Sequence, residues 1–150
     1  TLPPVYDKRL NYHMLWSDPL HFVTGILSPL AHKMNVTLEQ LANYPAILPA
    51  ANTFTSQITL AEFAKYNLKP YATMSTNPLE SIRMLVSVGL GWSVLPQTLV
   101  NQDLQPINMD TPVELQRYLG LVSNPNITVS ASMAALLDML GLEVDGKHRD

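Results

Sequence analysis

Apolar positions along the chain fall into short clusters set apart by proline, glycine and polar turns, and the most informative cluster spans residues 77–96. Leu79, Ile82, Val86 and Leu90 recur at helical spacing, with Arg83 off the stripe. Asn77 can cap this helix through its side-chain oxygen, Pro78 suits the first position, and Glu80 stands where a capping box needs it. Gly89 supplies a left-handed exit. Trp92, Val94 and Leu95 then form a short apolar run that Pro96 stops. The segment is predicted to be a helix feeding a buried strand, half of an α/β unit.

The rest of the chain reads by the same rules. Leu10, Tyr12, Met14 and Trp16 alternate with other residues and predict a strand over 10–16. Ser17-Asp18-Pro19 is expected to break it before a second strand over 20–24, rich in β formers. Residues 2–10 and 25–31 read as loops. Thr37-Leu38-Glu39-Gln40 is a capping box that opens a short helix through Ala42. Tyr44-Pro45 ends it, because the residue before proline avoids the helical region. Residues 46–48 form a buried strand stopped by Pro49. A polar loop over 50–56 leads into a helix over about 57–66, with Ile58, Leu60, Ala61 and Phe63 towards the core. Residues 71–74 are extended. Beyond Pro96, a helical turn over 97–102 precedes an edge strand over 104–107. The strand over 118–122 starts too soon after Thr111-Pro112-Val113-Glu114 for that capping-box pattern to open a helix. Ser130 caps a helix over 131–140, Gly141 ends it, and residues 145–150 form a charged, fraying tail. Strands alternating with helices predict an α/β fold with mainly parallel sheets covered on both faces.

Composition narrows the function. Hydrophobic residues make up 47% of the 150, so a packed core is expected. Charged residues are only 14%, the net charge is −3, and the nine Lys and Arg are scattered. A nucleic-acid surface needs clustered cations to displace counter-ions from phosphates, so this chain alone is not expected to bind DNA. The absence of cysteine removes disulfides, thiolate metal sites and cysteine nucleophiles. No apolar run has the ~18 residues of a membrane span. Thr1-Leu2-Pro3-Pro4 lacks the basic start and apolar middle of a secretory signal, and the chain opens as though cut from something longer.

Most candidate chemistry fails on spacing. His13, His21 and His32 lie 8 and 11 apart with no acidic partner at helical spacing, unlike a zinc site. No Gly-x-Ser-x-Gly elbow exists, and Gly91-Trp92-Ser93 lacks the closing glycine. Gly89-Leu90-Gly91 ends a helix, whereas a phosphate-binding glycine turn opens one. With no nucleophile, acid–base pair or cofactor motif, neither an enzyme nor a cofactor is expected. Trp92 is expected in the core, and Trp16 at a hinge before the predicted break.

The loop Asn52-Thr53-Phe54-Thr55-Ser56 differs, because it follows a buried strand and precedes a helix. Ligands of open α/β sheets sit outside the carboxyl ends of strands, and a helix N-terminus favours an anion through its dipole and orphan N–H groups. The alternative is that Thr55 or Ser56 merely caps the helix. Thr76 and Asn77 carry the same duality of cap and ligand contact.

Taken together, several segments resemble the effector-binding domain of LysR-type transcriptional regulators. They are Asp18-Pro19-Leu20-His21-Phe22-Val23; Ser28-Pro29-Leu30-Ala31, with serine where the family has histidine; Thr37-Leu38-Glu39-Gln40-Leu41-Ala42; residues 47–56; residues 77–96; Arg117-Tyr118-Leu119-Gly120-Leu121-Val122; and the helix after Ser130. The resemblance covers nearly the whole chain and is carried by order and spacing. It implies a fold like type 2 periplasmic binding proteins, with two Rossmann-like subdomains, two crossover strands and a ligand cleft between them. Residues 13–114 would form the second subdomain. Residues 1–12 and 115–150 would belong to a first subdomain that is incomplete here. The resemblance further implies a small, anionic metabolite as inducer and Thr53, Phe54 and Thr55 as pocket residues, with Thr76 and Asn77 behind them. It also implies a cytoplasmic homo-oligomer, dimer or tetramer, that reads DNA only through a helix-turn-helix outside this chain, with no membrane partner. An exported solute-binding protein of the same fold is the alternative.

Overall fold

The computed structural model describes residues 7–141. Its spine is β1 (Asn11–Gly25), a strand of 15 residues. Ser17-Asp18-Pro19 therefore does not break the strand, contrary to the sequence reading. Asp18 is held by Arg117 of the opposing strand (2.7 Å). Pro19 pairs with Gln116, just before the stretch Leu20–Val23 gains a second neighbour. There the strand has an open edge, where a missing N–H is tolerated. The irregularity appears instead as a bulge between Met14 and Trp16. Trp16 beside it is half exposed.

Two sheet regions meet at this spine. β4 (Ser93–Pro96) pairs with Leu20–Val23 on one side of β1. β5 (Leu104–Pro106) and β6 (Leu115–Ser123) share the other side. All three pairings are antiparallel. β2 (Pro45–Leu48) and β3 (Tyr71–Ser75) pair in parallel. A parallel bridge from Ala46 to Trp92 carries β2 towards β4. The expectation of mainly parallel sheets thus holds for β2, β3 and the approach to β4, and needs correction around β1. Helical crossovers keep β2, β3 and β4 running alike. β1 enters the sheet before those crossovers and runs against β4.

The helices follow their caps. Thr37 and Gln40 form the reciprocal capping box that opens α1 (Leu38–Ala42). α2 (Phe54–Ala64) begins three residues before the expected start at 57. Thr53 is its cap, accepting from Ser56 N (3.3 Å), and the Thr/Ser run read as loop is helix. Those hydroxyls bond back to the chain: Ser56 Oγ donates to Pro49 O (2.6 Å) and Thr59 Oγ1 to Thr55 O (2.7 Å). α3 (Leu79–Ser87) starts after Pro78 without any side-chain cap. Asn77 is therefore not its cap, and Glu80 ion-pairs with Arg83 rather than closing a capping box. At the other end, Gly89 has φ +86°, and Leu90 N donates to Leu85 O while Gly89 N donates to Val86 O. That is a Schellman exit. The end of the segment expected as loop over 25–31 turns instead into a 3₁₀ helix, Pro29–His32, capped by Ser28. A second 3₁₀ turn, Gln97–Leu99, follows β4. No helix forms over 111–114. α4 (Ala131–Met139) is capped by Ser130 and left at Gly141. The readings for residues 2–6 and for the tail at 145–150 lie outside the described residues.

Alternation along β1 and β4 divides the core between two faces. Phe22 and Val94 join one cluster with Leu30, Val36, Leu41, Phe63 and Trp92. Val23 and Leu95 join the other with Ile47, Ile82, Val86 and Leu104 beneath α3. Successive side chains of a strand point to opposite faces, so the sheet is covered on both sides. Trp92 is fully buried, as expected, and its Nε1 donates to Leu41 O and Tyr44 O (both 3.0 Å). Its ring stacks on Phe63 at 5.7 Å and meets Phe22 edge-on. Leu90 and Ala61, read as core-facing, are exposed.

Candidate functional site

β2 and β3 end side by side, with Leu48 opposite Ser75. The chain leaving β2 turns through residues 49–53 into α2. The chain leaving β3 passes through residues 76–78 into α3. Two hydrogen bonds tie these exits together. Thr76 N donates to Leu48 O (3.3 Å), and Asn77 Oδ1 accepts from Ala50 N (3.0 Å). Thr53, Phe54, Thr55, Thr76 and Asn77 are thereby gathered at one edge of the fold. It is the carboxyl edge of a parallel strand pair, where ligands of such sheets bind.

The five residues differ in what they can offer. Thr53 is committed to structure, because its hydroxyl donates to Ala50 O (2.8 Å) while accepting from Ser56 N. Phe54 is half-buried at the first position of α2. Thr55 is buried, at 6% exposure. The first intrahelical bond is donated by Gln57 N to Thr53 O (3.0 Å). The amides of Phe54 and Thr55 precede it, so they belong to the orphan donors of a first turn. The corrected cap therefore leaves the orphan N–H groups of the first turn at Phe54 and Thr55. Thr76 is half-buried and Asn77 is exposed. Asn77 works as a clamp between the two exits, a role the sequence reading missed, since nothing local couples positions 50 and 77. The shift of cap was accessible: Thr53 stands three before Ser56, the spacing of an N-cap bond.

Electrostatically the edge is mild. No Lys or Arg occurs in residues 49–56 or 75–77. Attraction for an anion rests on the α2 dipole, about half a charge, and on neutral donors. Among the described residues, no three His, Asp or Glu gather as a metal cluster, and no helix is long and apolar enough to cross a membrane.

Comparison with known proteins bears on the family and the fold. Residues 1–144 match the family described as LysR substrate binding domain. The Hca operon transcriptional activator HcaR of Escherichia coli K12 is 33% identical over 101 residues, which is 65% of this chain and 34% of that protein. The HTH-type transcriptional activator CmpR of Synechocystis is 25% identical over 143 residues, 91% of this chain and 46% of that protein. The chain thus spans less than half the length of these relatives. Among solved structures, the CcmR regulatory domain of Synechocystis PCC6803 in complex with 2-PG superposes with a TM-score of 0.78 at 23% identity, covering 92% of this chain and 68% of that one. The effector binding domain of QuiR in complex with shikimate gives 0.71 at 22% identity, covering 90% and 66%. The fold is that of type 2 periplasmic binding proteins, and the chain belongs to the LysR substrate-binding domain family.

Proposed function

We propose that this chain is the inducer-sensing part of a bacterial LysR-type transcription regulator. The observation that carries the proposal is the convergence of two strand exits at the start of α2, clamped by Asn77 and Ala50. In this reading a small metabolite with an anionic group meets the amides of Phe54 and Thr55 and the Thr55 hydroxyl, with the Phe54 ring beside it. Residues 13–114 act as one subdomain. Residues 115–150 and 1–12 belong to the other, whose remainder lies outside this chain. The ligand sits between them, and it moves their equilibrium only as far as it prefers one arrangement. The whole protein is a cytoplasmic homo-oligomer that binds DNA through a helix-turn-helix outside this chain, and the domain senses rather than catalyses. The relatives being transcriptional activators supports this over the exported solute receptor.

The test is calorimetry on the full-length protein with candidate carboxylate metabolites, combined with promoter-DNA binding. Phe54→Ala and Thr55→Val are expected to weaken the inducer response while leaving inducer-free operator binding unchanged. One lost hydrogen bond at Thr55 corresponds to about a 2- to 12-fold loss of affinity. Unaltered inducer titrations for both variants would reduce this edge to a helix start.

A further inference from the structure

A concavity lies away from that edge. It has a volume of about 430 Å³ and is lined by Thr37, Leu38 and Glu39 at the start of α1, Tyr66 and Leu68 after α2, and Asp110, Thr111 and Val113 between β5 and β6. That is within the range of small-molecule pockets, ~300–1,000 Å³. α2 has its first turn at the candidate inducer edge and its last turn here. The two sites are therefore separated by roughly 15 Å of helix.

The walls are fixed by backbone bonds. Val36 N donates to Asn108 O (2.8 Å) and Asp110 N to Val36 O (3.1 Å), so the 108–110 segment cannot slide past the approach to α1. Leu68 N donates to Phe63 O (3.0 Å), anchoring the turn after α2. The base is apolar: Leu38 belongs to the larger core cluster, and Leu68 and Val113 pack against it. Tyr66 adds an exposed ring. Two carboxylates complete the lining, and no Lys or Arg joins them. Neither Glu39 nor Asp110 forms an ion pair among the described residues. Asp110 has one oxygen engaged by Thr111 N (2.7 Å).

We propose that this cavity binds a small organic cation, a primary ammonium carried on a compact apolar body. Its ammonium would lie between the carboxylates of Glu39 and Asp110, and its body against Leu38, Leu68, Val113 and the Tyr66 ring. Two unpaired carboxylates oppose an anion, and an apolar base disfavours a fully hydrated inorganic ion. The site therefore selects by charge and by hydrophobic contact together. Occupation would cross-link α1, the far end of α2 and the β5–β6 segment. It stands independently of the inducer reading.

The test uses the full-length protein with methyl-labelled Leu and Val, titrated with phenethylammonium and, at matched ionic strength, with phenylacetate. Saturable shifts at Leu38, Leu68 and Val113 with the cation alone are expected. Glu39→Gln combined with Asp110→Asn is expected to weaken binding roughly 2- to 30-fold, the sum of two exposed ion pairs. Should the double variant lose cooperative unfolding, Glu39→Gln alone carries the comparison. Shifts that never saturate, equal binding of phenylacetate, or unchanged affinity in the carboxylate variants would each overturn the proposal. Phe54 and Thr55 take no part in this measurement, so its failure leaves the inducer edge untouched.

Discussion

Replacing Arg117 with methionine tests how β1 and β6 are held together. Arg117 lies directly opposite Asp18 in the antiparallel register. Its Nε and a terminal nitrogen both address Asp18 Oδ2, at 2.7 and 2.6 Å. The two side chains keep only 16% and 7% of their exposure. Arg117→Met would leave the Asp18 carboxylate largely out of water without a counter-ion. Breaking a fully buried pair costs about 3–5 kcal/mol. The residual exposure of Arg117 lets water screen part of the charge, so we expect about 2–4 kcal/mol here. For a unit of this size that corresponds to a fall in Tm of roughly 5–15 °C. Asp18→Leu combined with Arg117→Met removes both charges and should recover much of the loss, since well-packed apolar pairs often match buried ion pairs. Urea unfolding of the wild type, both single variants and the double variant gives the coupling energy. A cost below about 1 kcal/mol for Arg117→Met, with additive single variants, would refute the view that this pair fixes the β1–β6 register.

Trp92→Phe should cost about 2–4 kcal/mol by urea unfolding, because it opens a small cavity and leaves Leu41 O and Tyr44 O without their shared donor. Gly91→Ala should cost about 1–3 kcal/mol, since its Cβ would sit 2.5 Å from Pro45 O, whose bond with Trp92 N keeps that backbone in place; an unchanged Tm would show that the contact relaxes freely. Asn77→Ala should speed hydrogen exchange at the Ala50 amide and weaken inducer affinity several-fold, with a stability loss of only about 0.5–1.5 kcal/mol.

Much of the local structure around the candidate site was legible in the sequence. The Thr37–Gln40 capping box, the Gly89 exit and the strand stopped by Pro49 are read from residues within one turn of each other, and short-range sterics and hydrogen bonds dictate them. The sequence also placed a polar Thr/Ser run between a buried strand and a helix, and a cap within that run is what the structure shows. The start of the helix was missed by three residues, since Thr53 caps it and Ser56, read as loop, lies in its first turn with its hydroxyl turned back to Pro49 O.

Partners distant along the chain were not legible. Pro19 looked like a breaker until β6 supplied Gln116 opposite it and left its other edge open. Asp18 looked like a turn residue until Arg117 arrived to neutralise it across the sheet. Asn77 fits a helix cap by every local rule, yet the convergence of β2 and β3 brings Ala50 N within reach of its side chain. The antiparallel course of β1 likewise depends on where β4, β5 and β6 dock. By itself the sequence determined most of the helices and short strands and the family pattern, because each depends on interactions a few residues long. Only tertiary structure decided strand direction around β1, the Asp18–Arg117 tie and the Asn77 clamp, because each is a contact between segments that chain proximity does not bring together.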